Sequence, residues 1–153
     1  MSCDSIQIAA PGVQGLMPYV PGKPVEELQR ELGLEQIVKL ASNENPLGLS
    51  DKAAAAVKAT LTEGSRYPDG GGVLLKQALS EYHSINSDQI TLGNGSNDVL
   101  ELVARAFLAA DSEAVFSQYA FAVYPIVTQA VGAKAVVTPA LNWGHDLAAM
   151  AAA

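Results

Sequence analysis

The stretch "QITLGNGSNDVLELVARAFLAADSEAVFSQYAFAVYPIVTQAVGAKAVVTPA", residues 89–140, alternates between two apolar patterns. The segments 96–110 and 121–132 repeat apolar residues at helical spacing. Three other short runs, rich in β-branched residues, predict strands. These runs are residues 89–93, 113–118 and 133–140. Strands that alternate with helices through short links are typical of right-handed parallel crossovers. We therefore predict an α/β fold with a mostly parallel sheet flanked by helices.

The part of the chain before this stretch gives weaker signals. Residues 11–24 hold four prolines and three glycines, which predicts an extended N-terminal arm. Pro24 and Gly33 stand at the start and stop of a short predicted helix. Ser50 is placed to cap a second helix. A third helix is predicted over residues 73–84 and a short strand over residues 36–41.

Charge and composition exclude several classes of protein. The net charge is −7, from 16 acidic against 9 basic residues, which argues against a nucleic-acid or anionic-membrane partner. The single cysteine, Cys3, cannot form an internal disulfide, and the first residues lack the pattern of a signal peptide. No spacing of His, Cys, Asp and Glu suggests a metal site, and we assign no role to either histidine, His83 or His145. We expect a cytoplasmic protein.

The turn between the predicted strand at residues 89–93 and the helix that follows it has two interpretations. Gly93 and Gly95 allow a tight backbone turn and a close approach by a ligand. The first amides of the following helix have no backbone acceptor and would attract an anion such as phosphate, with the Ser96 hydroxyl as a further donor. The simpler interpretation is that Ser96 or Asn97 merely caps the helix.

Four motifs give the chain a family resemblance. In order they are "LASNENPLG" at 40–48, "RYPDGG" at 66–71, "LGNGSNDVLELVARAF" at 92–107 and "SQYAFAVYP" at 117–125. Together they resemble the histidinol-phosphate aminotransferases, which are fold-type I pyridoxal-phosphate enzymes. The resemblance implies that residues 1–48 form an arm and a small-domain segment. Residues 49–153 would then begin the large, cofactor-binding domain.

The resemblance also implies cofactor-binding residues. Gly95, Ser96 and Asn97 lie where the family binds the phosphate of pyridoxal 5'-phosphate. Phe121 lies where the family stacks an aromatic ring on the pyridine, and Tyr119 is the competing choice because the short loop could shift in register. Considered without the resemblance, Phe121 is equally a core residue at the start of a helix.

Three further positions match residues that the family places near the substrate or the partner subunit. Tyr67 matches a tyrosine that reaches the cofactor phosphate of the neighbouring subunit, which implies a homodimer. Tyr19 and Asn43 match substrate-binding positions, and the arm that holds Tyr19 is expected to lie across the partner. The alternatives are a Tyr67 ring packed on Pro68 and an Asn43 that only organises an Asx-turn.

The activity implied is transfer of the amino group of histidinol phosphate to 2-oxoglutarate, giving glutamate, as a step of histidine biosynthesis. The family's Schiff-base lysine falls beyond residue 153, so no catalytic residue is expected in this chain, which alone is predicted to be inactive. "HDLAAMAAA", residues 145–153, opens a helix without a C-cap, so we expect the N-terminal portion of a longer protein with one side of its sheet uncovered.

Two other functions fit the same residues. Aromatic-amino-acid aminotransferases and threonine-phosphate decarboxylases share much of the motif pattern, so the substrate is open within the family. A non-catalytic module that binds a phosphate ligand or a partner protein is the alternative outside it.

Overall fold

The computed structural model describes residues 6–153, and Cys3 lies outside these residues. The chain divides into two compact units. We call Val20–Ile90 the helical unit, and residues 6–19 together with Thr91–Ala153 the arm–sheet unit. These units differ from the division at residues 48 and 49 that the family resemblance implies, which stays a prediction.

The helical unit contains α1 (Val25–Leu32), α2 (Asp51–Thr60) and α3 (Val73–His83). The stop and start signals behave as predicted. Gly33 ends α1 at a left-handed φ of 64°, and the Ser50 hydroxyl accepts the Ala53 N–H at 3.2 Å to cap α2. A 3-10 turn, Leu61–Glu63, then extends α2.

The arm–sheet unit follows the predicted alternation. Its elements are α4 (Ser96–Phe107), β1 (Glu113–Ser117), α5 (Val123–Ala130), β2 (Lys134–Thr138) and α6 (Leu147–Ala152). The two strands are parallel, with Glu113 opposite Lys134 and Ser117 opposite Thr138. α4 packs on α5, α5 on β2, and α6 on β1. The strand–helix–strand crossover is therefore confirmed.

Two predicted strands are wrong. Residues 36–41 and 89–93 form no strand, and Ser87–Gln89 is a 3-10 turn. Ile90 is locally extended, with φ −112° and ψ 118°, as its β-branched side chain favours. A strand also needs a neighbour that accepts and donates its backbone hydrogen bonds, and neither segment is paired within the described chain.

The arm is only partly extended. Residues 11–15 form turns, with the Val13 N–H donating to the Ala10 carbonyl at 2.8 Å, whereas residues 16–24 have no helix or strand. The prediction of an extended arm over 11–24 is therefore wrong for 11–15. Gly12 allows this, because it lets the turn lie directly against the last carbonyls of α5.

The core of the arm–sheet unit is small. Among the described residues, four apolar side chains are buried: Ala104, Phe116, Val123 and Ala133. The buried Thr128 hydroxyl donates to the Tyr124 carbonyl at 2.8 Å, so its polar atom is satisfied. On the surface of α4, Glu101 and Arg105 form an ion pair at 2.7 Å across one helical turn. No helix between residues 6 and 153 is long and apolar enough to cross a membrane.

Candidate functional site

The turn before α4 is built around two glycines. Gly95 has φ 81° and ψ −179°, a conformation that is essentially restricted to glycine. A Cβ at Gly93 would lie 2.9 Å from the Asp98 Oδ2 and 2.9 Å from the Val99 Cγ2, closer than real side chains allow. The backbone conformation therefore requires glycine at position 95, whereas at position 93 glycine leaves room for the Asp98 and Val99 side chains; both glycines are exposed.

The first amides of α4 have no capping side chain. Gly95 is the N-cap, and neither Ser96 nor Asn97 accepts a hydrogen bond there, so the capping interpretation is wrong. The first helical bond runs from the Val99 N–H to the Gly95 carbonyl at 3.4 Å. Within the described part of the chain, the N–H groups of Ser96, Asn97 and Asp98 consequently have no acceptor.

The one carboxylate in the first turn of α4 is directed away from those amides. The Asn94 N–H donates to the Asp98 Oδ2 at 2.9 Å, so Asp98 organises the loop before the helix. Ser96 and Asn97 are exposed, which leaves the end of α4 open to a ligand. An uncapped helix start of this kind provides backbone donors and partial positive charge for an anion.

The aromatic residues after β1 separate into two pairs. Phe121 meets Tyr19 of the arm edge to face, with ring centroids 5.7 Å apart and an interplanar angle of 70°. Tyr119 stacks on Trp143, with centroids 5.2 Å apart and an angle of 24°. Phe121 is 43% exposed, so it is not the core residue of the alternative interpretation. The structure thus brings Tyr19 and Phe121 together within one chain, which differs from the expectation that the arm with Tyr19 lies across the partner.

A cavity of about 400 Å³ lies beside these rings. It is lined by the end of β1, the loop after it and the start of α6, and includes Tyr119, Phe121 and His145. Sequence reasoning assigned His145 no role and did not single out Trp143. The sequence Asn-Trp-Gly at 142–144 could have drawn attention to Trp143, because it is typical of a tight turn and yet places a bulky side chain within that turn.

The remaining predicted residues lie in the helical unit. The Tyr67 side chain is fully exposed, which does not fit packing on Pro68. Asp69, two residues after Tyr67, accepts the Val73 N–H at 2.7 Å and the Gly71 N–H at 2.9 Å, and these two hydrogen bonds hold the pKa of its carboxyl below its usual value. Its carboxylate therefore fixes the turn between Tyr67 and α3.

Asn43 lies in a loop whose Asx-turn is formed by another residue. Asn43 has a left-handed φ of 52°. The Asx-turn belongs to Asn45, whose Oδ1 accepts the Leu47 N–H at 3.0 Å. The functional roles of Asn43 and Tyr67 stay predictions.

Comparison with known proteins assigns the family. The family model for aminotransferase class I and II matches residues 35–153. The chain belongs to the class I and II aminotransferase family. The resemblance found in the four motifs is therefore confirmed at the level of the family.

The matching relatives are much longer than this chain. Histidinol-phosphate aminotransferase 2 of Pseudomonas fluorescens is 66% identical over 152 residues, covering 98% of this chain and 41% of the relative. The Pseudomonas aeruginosa protein of the same name is 62% identical over 152 residues, again covering 98% and 41%. The chain thus spans about two fifths of the length of these curated relatives.

A solved structure shares the fold. Histidinol-phosphate aminotransferase from Sinorhizobium meliloti, in complex with pyridoxal-5'-phosphate, superposes with a TM-score of 0.82. The match covers 95% of this chain and 38% of that one at 23% sequence identity. The present chain therefore shares the α/β fold of the matched 38% of that structure.

Proposed function

We propose that this chain forms part of a pyridoxal-phosphate-dependent aminotransferase that transfers the amino group of histidinol phosphate to 2-oxoglutarate. The names of the relatives at 66% and 62% identity support the substrate, and the cofactor bound by the Sinorhizobium meliloti structure supports the coenzyme. The reaction would be a step of histidine biosynthesis in the cytoplasm. The observation that carries the proposal is the set of unpaired amides at the start of α4.

The phosphate of the cofactor fits those amides chemically. The N–H groups of Ser96, Asn97 and Asp98 supply three donors, and the exposed Ser96 hydroxyl supplies a fourth. Gly95 presents no side chain, so an ester phosphate can reach the backbone. The macrodipole of α4 favours the negative charge. In this proposal Gly95, Ser96 and Asn97 form the phosphate-binding turn.

The aromatic ring of the cofactor fits the loop after β1. When bound, pyridoxal phosphate supplies an electron-withdrawing pyridine ring that stabilises negative charge on the substrate carbon. Phe121, at 43% exposure, presents an aromatic surface for such a ring and would exclude water from one side of it. Tyr19, 5.7 Å away, would border the substrate from the same chain.

The covalent lysine is proposed to lie outside these 153 residues. Three of the six lysines pair with carboxylates at the surface, among them Lys39 with Glu44 and Lys134 with Glu113, both at 2.5 Å. None of the six is buried, whereas a lysine that reacts as a neutral amine needs a desolvated site. This chain alone would therefore bind part of the cofactor without running the reaction.

The partner subunit enters the proposal through Tyr67. Its fully exposed phenol could donate to a phosphate held by a second copy of the protein. We propose a homodimer on this ground, with Asn43 beside the substrate and residues 1–48 and 49–153 in different domains of each subunit.

The test uses the full-length gene product that contains this chain, purified with pyridoxal phosphate. We expect a visible absorbance band from the bound cofactor, and loss of that band when histidinol phosphate is added without an amino acceptor. Phenylalanine and threonine phosphate are the control substrates. If the substrate assignment holds, each should remove the absorbance band at least about tenfold more slowly than histidinol phosphate does. A protein that stays colourless with added cofactor would end the aminotransferase proposal, and a faster reaction with either control would end the choice of substrate.

A further inference from the structure

Trp143 adopts a backbone conformation that bulky side chains avoid. Leu141 and Gly144 exchange both backbone hydrogen bonds, with N···O distances of 3.1 and 2.9 Å. Asn142 and Trp143 are the two residues between them, with φ values of 50° and 65°. Two positive φ values in a two-residue turn are typical of type I′, which favours Asn followed by Gly. Trp143 thus stands where the turn favours glycine.

Burial does not compensate for this strain. The Trp143 side chain is 83% exposed, so it gains little from removal of apolar surface from water. Its contact is the stacked ring of Tyr119, at 5.2 Å between centroids and 24° between planes. A strained residue whose side chain makes one specific contact points to a role for that contact.

Tyr119 belongs to a loop that is also hydrogen-bonded to the chain leaving β2. The Gln118 N–H donates to the Thr138 carbonyl at 2.8 Å, and the Ala140 N–H donates to the Gln118 Oε1 at 3.3 Å. The stack with Trp143 is a third link between the same two segments. The loop of residues 118–121 is therefore held at its first two residues, and Ala120 alone separates them from Phe121.

Tyr119 and Phe121 line the same cavity, so either ring could face a ligand there. The stack occupies one face of Tyr119, whereas Phe121 meets Tyr19 only edge to face. We propose that Trp143 is a positioning residue: by stacking on Tyr119 it fixes the loop after β1 and leaves Phe121 as the ring that meets the cofactor. The choice of ligand in this inference rests on the proposed function.

The experiment compares Trp143→Gly and Trp143→Phe in the full-length gene product. Glycine removes the ring but suits the turn, so the unfolding temperature is expected to stay the same or rise. Phenylalanine keeps a ring that can stack on Tyr119. The Ala120 N–H donates to the Ser117 carbonyl at 2.9 Å, so it reports on the loop as the Gln118 N–H does. The readouts are hydrogen exchange at these two amides without cofactor, and the Kd for pyridoxal phosphate.

We expect Trp143→Gly to raise exchange at both amides about tenfold or more and to weaken cofactor binding about fivefold or more. Trp143→Phe should stay within about twofold of the wild type in both measurements. The proposal is overturned if Trp143→Gly leaves either quantity unchanged, or if Trp143→Phe behaves like Trp143→Gly. A wild-type protein that fails to bind pyridoxal phosphate would contradict the proposed function instead, and exchange alone would then decide whether Trp143 holds the loop.

Discussion

Gly12 shows how a single residue sets the path of the arm. A Cβ at this position would lie 2.2 Å from the Gln129 carbonyl oxygen, 2.9 Å from the Ala130 carbonyl oxygen and 3.0 Å from the Gly132 nitrogen. All three atoms belong to the backbone at the end of α5, so none can move aside at low cost. Gly12 therefore docks the arm on α5 and sets where Tyr19 begins its approach to Phe121.

We expect Gly12→Ala to lower the free energy of unfolding by about 1–3 kcal/mol, because the added methyl group overpacks the contact. Gly70→Ala is the matched control, since Gly70 has open space around it and no left-handed φ. That variant should stay within about 0.5 kcal/mol of the wild type. Denaturant unfolding measures both, and equal stability of the two variants would show that Gly12 does not dock the arm.

Individual residues differ in how well their structural roles could be predicted from the sequence. The tight turn at Gly93 and Gly95 could be predicted because the turn is local and its composition is unusual, whereas the phosphate-binding roles of Gly95 and Ser96 stay predictions. The role of Trp143 could not be predicted, because it depends on a stacking partner in another loop and on a positive φ value, and neither can be read from the sequence. The position of Tyr19 against Phe121 likewise requires the fold of the arm.

Among the elements, those with local signals were predicted well. Capping residues and glycines at helix ends predicted α1 and α2, and the apolar periodicity predicted α4 and α5. β1 and β2 were predicted from their β-branched runs, and they form strands because each is the other's parallel partner. Residues 36–41 and 89–93 have strand-like side chains but no pairing partner within the described chain, and propensity alone does not make a strand.

The start of α4 is the element on which the proposed function depends. Its N–H groups from Ser96 to Asp98 have no acceptor within the described chain, and Gly95 turns the chain directly before them with φ 81° and ψ −179°. Any other residue at this position would incur about 1–3 kcal/mol of backbone strain or change the turn. The geometry of the donors therefore depends on a residue that has no side chain of its own.

Gly95→Ala should consequently weaken binding of pyridoxal phosphate to the full-length protein by about tenfold or more. Binding of pyridoxal, which lacks the phosphate, should change by less than about twofold. Ser96→Ala is the control that keeps every backbone amide and removes one hydroxyl, so a smaller loss is expected. Equal losses for both ligands in Gly95→Ala would show that the turn does not recognise phosphate.

At the scale of the whole molecule, the chain buries little apolar surface. In the described residues of the helical unit no side chain is fully buried, and α1, α2 and α3 have no buried residue. In the arm–sheet unit Val137 of β2 remains 54% exposed. This distribution accords with a chain that spans about 41% of the length of a curated relative, and with the expectation that one side of its sheet is uncovered.

The location of the cofactor phosphate in a crystal structure of the full-length protein with pyridoxal phosphate tests the central claim most directly. We predict phosphate oxygens about 2.7–3.2 Å from the backbone nitrogens of Ser96, Asn97 and Asp98, with the pyridine ring against Phe121. A phosphate bound elsewhere, with those three amides paired to groups of the protein itself, would contradict the account.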